Sequence, residues 1–441
     1  MSEQSIQDQW QPSGDLQEHM DHAQEALAVM QSEVVLPADD YRWQLAYGLM
    51  ATGRGQDSGV MAMGTFGSVK TTMGNLMIGP EQRVSITSTD TESTLFGHDH
   101  PNPTPDSDKF ITGKFKVVDP ANPAFYLNEL THMRNQKAVQ QLWDGEELVV
   151  PTNNSHVDRI NLQDAVYYMT SNYPNGQDVF RLSSSVQSRV GAEVLTGDVD
   201  DETARKIQSS PRVNFAQAPL LPSAAVRREL AELVEEAYPD PESSIGTVTG
   251  NFTVDLINRL NDSGLVAPIS LADARIGKAL AATTRAYMFV HRNKEGTEIT
   301  PLTVARVAAL AMPTVTRLSG VAEGNMSDYL ERNVGDLDKA IAVRRLIARE
   351  AFRVAFSRLA EDDAAAEKGG AAVSVQSPEA IERLVDERAA KFSYGNHTIL
   401  GYDVDSAING VAADVALSET AQKKGLLLGL RDIYFGRYFR R

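Results

Sequence analysis

The stretch Val60-Met61-Ala62-Met63-Gly64-Thr65-Phe66-Gly67-Ser68-Val69-Lys70-Thr71-Thr72 decides how the rest of the chain is read. It reads as a buried strand, a short glycine-bearing loop and a helix that opens on Lys-Thr-Thr. Such a run can grip phosphate. Glycines let the backbone approach closely, and the N–H groups at a helix start point at the anion. A lysine adds a mobile positive charge, and a hydroxyl can reach a bound magnesium ion. The usual spacing is Gly, four residues, then Gly-Lys-Ser/Thr. Here Val69 precedes Lys70, and the second glycine, Gly67, lies two places earlier. On this stretch alone, phosphate binding and an ordinary strand–turn–helix with a stray lysine both remain open.

The chain has 441 residues, enough for a sizeable core and, by length, about two to four domains. No apolar run approaches the roughly 20 residues that cross a bilayer. The N-terminal segment is acidic and polar, without an apolar signal region, so a cytoplasmic location is expected. With no cysteine, disulfides and thiolate metal sites are excluded. The formal net charge of −17 argues against general nucleic-acid binding, which needs a basic field.

Upstream of the opening stretch, residues 1–20 are polar and expected to be a flexible N-terminus. Two helical stretches are expected within 21–52, the clearer one over 41–50. Downstream, 84–87 alternates like a second strand, 97–108 is a polar, proline-rich excursion, and 115–118 reads as a hairpin piece. The apolar run Ala124-Phe125-Tyr126-Leu127 ends in Asn128-Glu129 and reads as a strand, with a helix over about 134–146 after it. Residues 165–172 read as another apolar strand, ending in Asn172. Strands alternating with helices predict a parallel sheet whose ligands sit at the strands' carboxyl ends, where these polar residues fall. From about 222 the pattern turns helical, over 226–238, 249–260, 272–292, 301–318 and 325–360. Thr300 before Pro301 is a good helix cap. A charged, glycine-containing linker is expected near 361–377.

The order of these features resembles the MoxR branch of the AAA+ ATPases over residues of about 25–320. In that branch the phosphate loop commonly reads Gly-x-Pro-Gly-x-Ala-Lys-Thr. Gly64-Thr65-Phe66-Gly67-Ser68-Val69-Lys70-Thr71 keeps that spacing, with Phe66 for the proline and Val69 for the alanine. The family's second motif is an apolar strand ending Asp-Glu, followed by Ile-Asn-Arg. Leu127-Asn128-Glu129-Leu130-Thr131-His132 matches it, with Asn128 in place of the aspartate and Thr131-His132 in place of Asn-Arg. Met169-Thr170-Ser171-Asn172-Tyr173-Pro174 is similar to an apolar strand followed by Thr-Gln-Asn-Pro. Leu182-Ser183-Ser184-Ser185-Val186-Gln187-Ser188-Arg189-Val190 keeps the length of Leu-Pro-Glu-Ala-Gln-Leu-Asp-Arg-Phe. Ser270-Leu271-Ala272-Asp273-Ala274-Arg275 resembles the Ser-Pro-Arg start of a lid helix, and Glu298-Ile299-Thr300-Pro301 resembles Val-Thr-Pro-Glu-Asp near the lid's end.

The resemblance implies an α/β P-loop AAA+ domain with a parallel sheet over 21–220, an α-helical lid over 221–320, and a mostly helical C-terminal extension over 321–441. It implies ATP and Mg2+ as cofactors. Gly64, Thr65, Phe66, Gly67, Ser68, Val69, Lys70, Thr71 and Thr72 would cradle the nucleotide, with Thr71 and Asn128 at the metal. Glu129 would polarise the attacking water, and Asn172 would position that water and the γ-phosphate. Arg189 would be offered to a neighbouring subunit's nucleotide, and Arg275 would be the lid's sensor arginine. A homo-oligomeric ring, expected as a hexamer, would use hydrolysis for chaperone-like remodelling or maturation of a partner, often one with a von Willebrand factor A domain. Because Asn128 brings no charge, slow hydrolysis, or a nucleotide-binding scaffold that does not hydrolyse, is the alternative. His98-Asp99-His100 reads as a polar loop, since its alternating spacing suits a strand better than a tetrahedral site. The tail from Arg431, which mixes arginines with aromatics, is expected to dock on protein.

Overall fold

Unbroken apolar runs become strands covered on both faces, because a strand in the middle of a parallel sheet has no solvent side. Val60 to Met63 is such a run, and all six residues of the strand it forms are buried. The computed structural model describes residues 14–33, 41–53, 55–64, 69–101, 109–153, 156–172, 186, 189–196, 205, 209, 219–237, 245–262, 269–271, 274–295, 299–312, 344, 346–358, 398–399 and 402–403. The strands are β1 (Gly59–Gly64), β2 (Arg83–Ser85), β3 (Gly97–Asp99), β4 (Phe110–Thr112), β5 (Ala124–Asn128), β6 (Glu147–Asn153), β7 (His156–Asn161), β8 (Val166–Ser171) and β9 (Ala192–Thr196), with a two-residue pair near 398–403. The helices are α1 (Gly14–Glu33), α2 (Tyr41–Thr52), α3 (Lys70–Met77), α4 (Glu92–Phe96), α5 (Gln141–Asp144), α6 (Ala224–Glu236), α7 (Ile245–Asp262), α8 (Ala274–Glu295) and α9 (Pro301–Ala311).

Five strands form one parallel sheet in the order β2-β5-β8-β1-β9. Helices follow it, so the α/β architecture with a parallel sheet and a later helical part is present as expected. The chain leaves β1 for β2 at the far edge, and β5 and β8 fill the gap on the way back. The carboxyl ends of β1, β5 and β8 therefore lie side by side, although their residues are far apart in sequence. Two compact units divide the chain: residues 1–247 with 275–299 and 311–320, and residues 248–274 with 300–310 and 321–441.

In the first unit the register of β5 and β8 sorts aromatics onto two faces. Phe125 lies opposite Tyr167 and stacks on it at 5.4 Å. That file continues to Trp143 on one side and through Phe115 to Phe96 on the other. On the other face, Tyr126 lies opposite Tyr168 with ring centroids 5.3 Å apart. These two tyrosines seat α3: the Tyr168 hydroxyl donates to Lys70 O at 2.7 Å and the Tyr126 hydroxyl to Thr71 O at 3.2 Å.

Gly74 makes that seating possible. A Cβ there would stand 2.6 Å from both Tyr126 Cζ and Tyr168 Cε1. Both rings are fully buried and cannot swing away. In an open helix, Gly→Ala stabilises by about 0.5–1 kcal/mol. Here overpacking dominates, and Gly74→Ala is expected to destabilise by about 1–3 kcal/mol, read as a lower urea midpoint at unchanged slope.

In the second unit Thr300 caps α9, accepting from Thr303 N at 3.2 Å while Thr303 Oγ1 accepts from Thr300 N. Leu256 and Ile257 of α7, Val304 and Val307 of α9, and Ile347 and Phe352 of the helical residues 346–358 are buried. Arg358 pairs with Asp255, and Arg344 donates to Ala308 O.

Several local expectations change. Residues 115–117 belong to a 3-10 turn, Lys114–Val117, which Val118 ends in extended conformation, and Phe115 plugs the aromatic file between Phe96 and Phe125. The helix expected over 134–146 is a 3-10 turn, Gln136–Val139, followed by the single turn of α5, which Gly145 ends. Antiparallel pairs form instead between β3 and β4 and between β6 and β7. His98 and Asp99 lie in β3, so their alternation is that of a strand. At the N-terminus, helix α1 begins at Gly14, within the segment expected to be flexible. Met20, Ala23, Leu27 and Met30 recur at helical spacing and are buried. The linker near 361–377 and the tail from Arg431 lie outside the described residues.

Candidate functional site

The carboxyl ends of β1, β5 and β8 present Gly64, Asn128 and Ser171-Asn172, and the first turn of α3 brings Lys70 and Thr71 to them. Lys70 is 5% exposed. Its Nζ donates to Gly64 O at 2.9 Å and to Asn172 Oδ1 at 3.3 Å. Burial lowers its pKa to about 8, while the charge of Glu129 works the other way. The lysine is therefore a poorly hydrated donor held at the end of the central strands, where an anion would regain much of the charge solvation it has lost.

Thr71 donates to Asn128 Oδ1 at 3.4 Å, and Thr170 of β8 donates to the same oxygen at 3.1 Å. Thr170 Oγ1 in turn accepts from the backbone N of Glu129 at 2.9 Å. Glu129 follows β5 in the left-handed region, φ 62° and ψ 45°, alone among the described non-glycine residues. That conformation costs a residue with a Cβ roughly 1–2 kcal/mol. Its carboxylate lies 3.5 Å from His132 Nδ1. A second link, from the Ser171 hydroxyl to Thr131 Oγ1 at 2.9 Å, ties β8 to the same turn.

Of the residues expected in the site, Gly64, Lys70, Thr71, Asn128, Glu129 and Asn172 are thus brought together. Val69 immediately precedes α3 and Thr72 lies in its first turn. Thr65, Phe66, Gly67 and Ser68 lie outside the described residues.

The two arginines are not in that cluster. The segment holding Arg189 is tied to the amino end of β1 by Gly191 N to Gly59 O at 2.7 Å. Gly64, at the other end, is five residues further along, roughly 16 Å at the rise of a parallel strand. Arg189 is buried and donates to Asp144 Oδ1 at the end of α5. Burial works to raise the Asp144 pKa, but hydrogen bonds from Arg189 and Gln140, with the charges of Arg189 and Arg275, hold it below the usual carboxylate range. Arg275, exposed at the start of α8, thus acts on the same carboxylate as Arg189.

Thr170, Asp144 and the pair Tyr126 and Tyr168 were not singled out by sequence. For the tyrosines a signal existed: each sits at the same place in its apolar strand run. Thr170 lies in the run compared with Thr-Gln-Asn-Pro, where it was given no role, and Asp144 carries no signal beyond residue type.

The donor set bears on a metal. Among the described residues no group of three or more His, Cys, Asp or Glu could hold one. What the site offers is the Thr71 hydroxyl and the Asn128 amide oxygen, neutral hard donors. Such a set suits magnesium that arrives on nucleotide phosphates, which supply the charge. No described helix is long and apolar enough to cross a membrane.

No protein-family model matches the chain, nor does any curated protein. Among solved structures it is similar to a crystal structure described as a "putative ATPase" from Cytophaga hutchinsonii ATCC 33406, at 14% identity and a TM-score of 0.47, over 67% of this chain and 86% of that one. The residues themselves define an α/β domain in which an inner strand of the sheet, β1, precedes a helix opening on a buried lysine and a hydroxyl, with amide and carboxylate side chains at the ends of other strands.

Proposed function

We propose that this chain is an ATPase of the AAA+ type, related to the MoxR branch, that binds ATP with magnesium at the carboxyl ends of β1, β5 and β8. The supporting observation is the pair of hydrogen-bond chains, Gly64–Lys70–Asn172 and Thr71–Asn128–Thr170–Glu129, which join residues from three separate stretches of sequence. Lys70 places its charge against the β- and γ-phosphates. Asn172 holds the lysine on one side and orients the attacking water on the other, and Glu129 accepts that water's proton. Thr71 and Asn128 face the metal, which when bound offsets the charge that develops on the phosphates.

In this proposal Arg189 serves the nucleotide of a neighbouring subunit in a cytoplasmic ring, expected to have six members. Its place at the opposite end of β1 from Lys70 favours that over service within its own subunit. The ring would remodel or mature a partner protein, with a von Willebrand factor A domain as the partner the family resemblance suggests. A second reading, a nucleotide-binding scaffold without turnover, draws on the neutral Asn128 and on the pairing of Glu129 with His132.

The test is ATP hydrolysis with magnesium at rising protein concentration, for the natural chain and for Arg189→Ala. Specific activity should climb with assembly. Arg189→Ala should lose roughly 10³-fold at high concentration, as expected for an arginine supplied in trans, while still binding ATP. Binding without phosphate release at any concentration would establish the scaffold instead, and absence of binding would remove both readings.

A further inference from the structure

An asparagine in the place of an aspartate raises a question of orientation. Both ends of a carboxylate accept hydrogen bonds, but only one end of an amide does. If the NH2 of Asn128 faced Thr71, the threonine hydroxyl would be an acceptor there, and its lone pair would be lost to any metal. Something must select the amide's oxygen.

We propose that Thr170 is the positioning residue that makes this selection and, through the same hydroxyl, fixes the backbone of Glu129. The hydroxyl is buried, its residue being 1% exposed. It accepts from Glu129 N at 2.9 Å, so its proton is left to donate, and it donates to Asn128 Oδ1 at 3.1 Å. That fixes the amide with its oxygen toward both threonines, and Thr71 donates to it as well, at 3.4 Å. The lone pairs of Thr71 then face outward. The Glu129 N–H is held at the one non-glycine residue of left-handed conformation among those described. Backbone strain persists only where the surroundings over-determine it, and this hydrogen bond is one such restraint. One side chain on β8 thus sets both the metal-facing amide and the carboxylate-bearing turn of β5, 41 residues earlier. The catalytic part of this inference rests on the proposed ATPase reading; the structural part does not.

Thr170→Val keeps the shape and removes the hydroxyl, whereas Thr170→Ser keeps the hydroxyl. Amide hydrogen exchange at Glu129 should quicken roughly five- to hundredfold in the valine variant and stay near natural in the serine variant. In turnover, Thr170→Val should lower kcat by a similar factor with KM for ATP within about threefold, and serine should restore it. The magnesium concentration needed for half-maximal nucleotide binding should rise in Thr170→Val. It should return toward natural in Asn128→Asp/Thr170→Val, since either carboxylate oxygen can accept from Thr71, while kcat of the double variant stays low. If Thr170→Val does not fold, Thr170→Ala is read in the same way. Unchanged exchange at Glu129 with the hydroxyl removed would overturn the proposal, as would a serine variant as impaired as valine. If the natural chain hydrolyses no ATP, the ATPase reading fails, and the exchange and magnesium measurements still decide the role of Thr170.

Discussion

Lys70→Ala should abolish useful nucleotide affinity, weakening ATP binding roughly 30- to 5,000-fold. The size follows from what the lysine is in the folded chain. The residue is 5% exposed, and its ammonium donates to Gly64 O and Asn172 Oδ1. Removing one side of a desolvated, hydrogen-bonded charge pair costs about 2–5 kcal/mol, most of it because the other side is left without its partner. On the proposed reading, the stranded side is a triphosphate. The alanine variant should fold at least as well as the natural chain, since a buried charge is removed. Titration calorimetry or a fluorescent nucleotide analogue reads the affinity, and an unchanged affinity would show that the phosphates lie elsewhere.

The same lysine predicts a pH dependence with opposite signs for binding and for stability. Its pKa is about 8 in the folded chain against 10.5 when free. Bound phosphates favour the charged form and raise the folded value again. Below pH 8 the lysine already carries its proton. As pH rises above 8, binding must take a proton up, and affinity should fall by as much as tenfold per unit until the bound-state pKa is passed. Stability of the nucleotide-free chain runs the other way. Between pH 8 and 10.5 the unfolded chain holds more protons at this residue than the folded chain, so its contribution to stability rises with pH. Lys70→Ala should remove both trends. Calorimetry in two buffers of different ionisation heat measures the proton uptake directly.

The sheet strands that carry the site were legible because they are continuous apolar runs with polar ends. β1, β5 and β8 stand where 60–63, 124–129 and 165–172 were read. β9 was not, because Glu193 interrupts Ala192-Glu193-Val194-Leu195-Thr196, and nothing in the sequence indicates that this glutamate is fully buried. The body of the N-terminal helix falls within 21–52, where two helical stretches were read, but its start at Gly14 was hidden by the opposite effect: polar residues there outnumber a narrow buried stripe that begins at Met20. Position at strand ends singled out Asn128, Glu129 and Asn172, and the start of the helix after β1 singled out Lys70 and Thr71, and the fold brings these five together. The roles of Thr170 and Asp144 depend on partners 41 and 45 residues away, and such pairings come from sheet register and the packing of α5, not from local pattern. The left-handed backbone of Glu129 was equally invisible, for a glutamate is an unfavourable choice there on conformational grounds.

That unfavourable choice yields the sharpest expected separation of stability from function. Glu129→Gln keeps size and backbone but cannot accept a proton from water. It should reduce turnover roughly 10²- to 10⁴-fold and leave ATP affinity within a few-fold, so the bound nucleotide accumulates unhydrolysed. Glu129→Gly should be equally inactive yet no less stable. Glycine adopts φ 62° without the penalty of a Cβ, worth about 1–2 kcal/mol. Against that stand the greater freedom of glycine in the unfolded chain, about 0.4–1 kcal/mol, and the lost contact with His132, a partly exposed pair worth at most about 1 kcal/mol. On the proposed ATPase reading, the strain of a glutamate where glycine would fit the backbone is the cost of the carboxylate's role. Thermal unfolding of both variants beside single-turnover hydrolysis decides the matter. Loss of turnover in Glu129→Gln, with stability held in Glu129→Gly, assigns the residue to chemistry. Full turnover in Glu129→Gln would mean that the carboxylate is a partner for His132 and that another group activates the water.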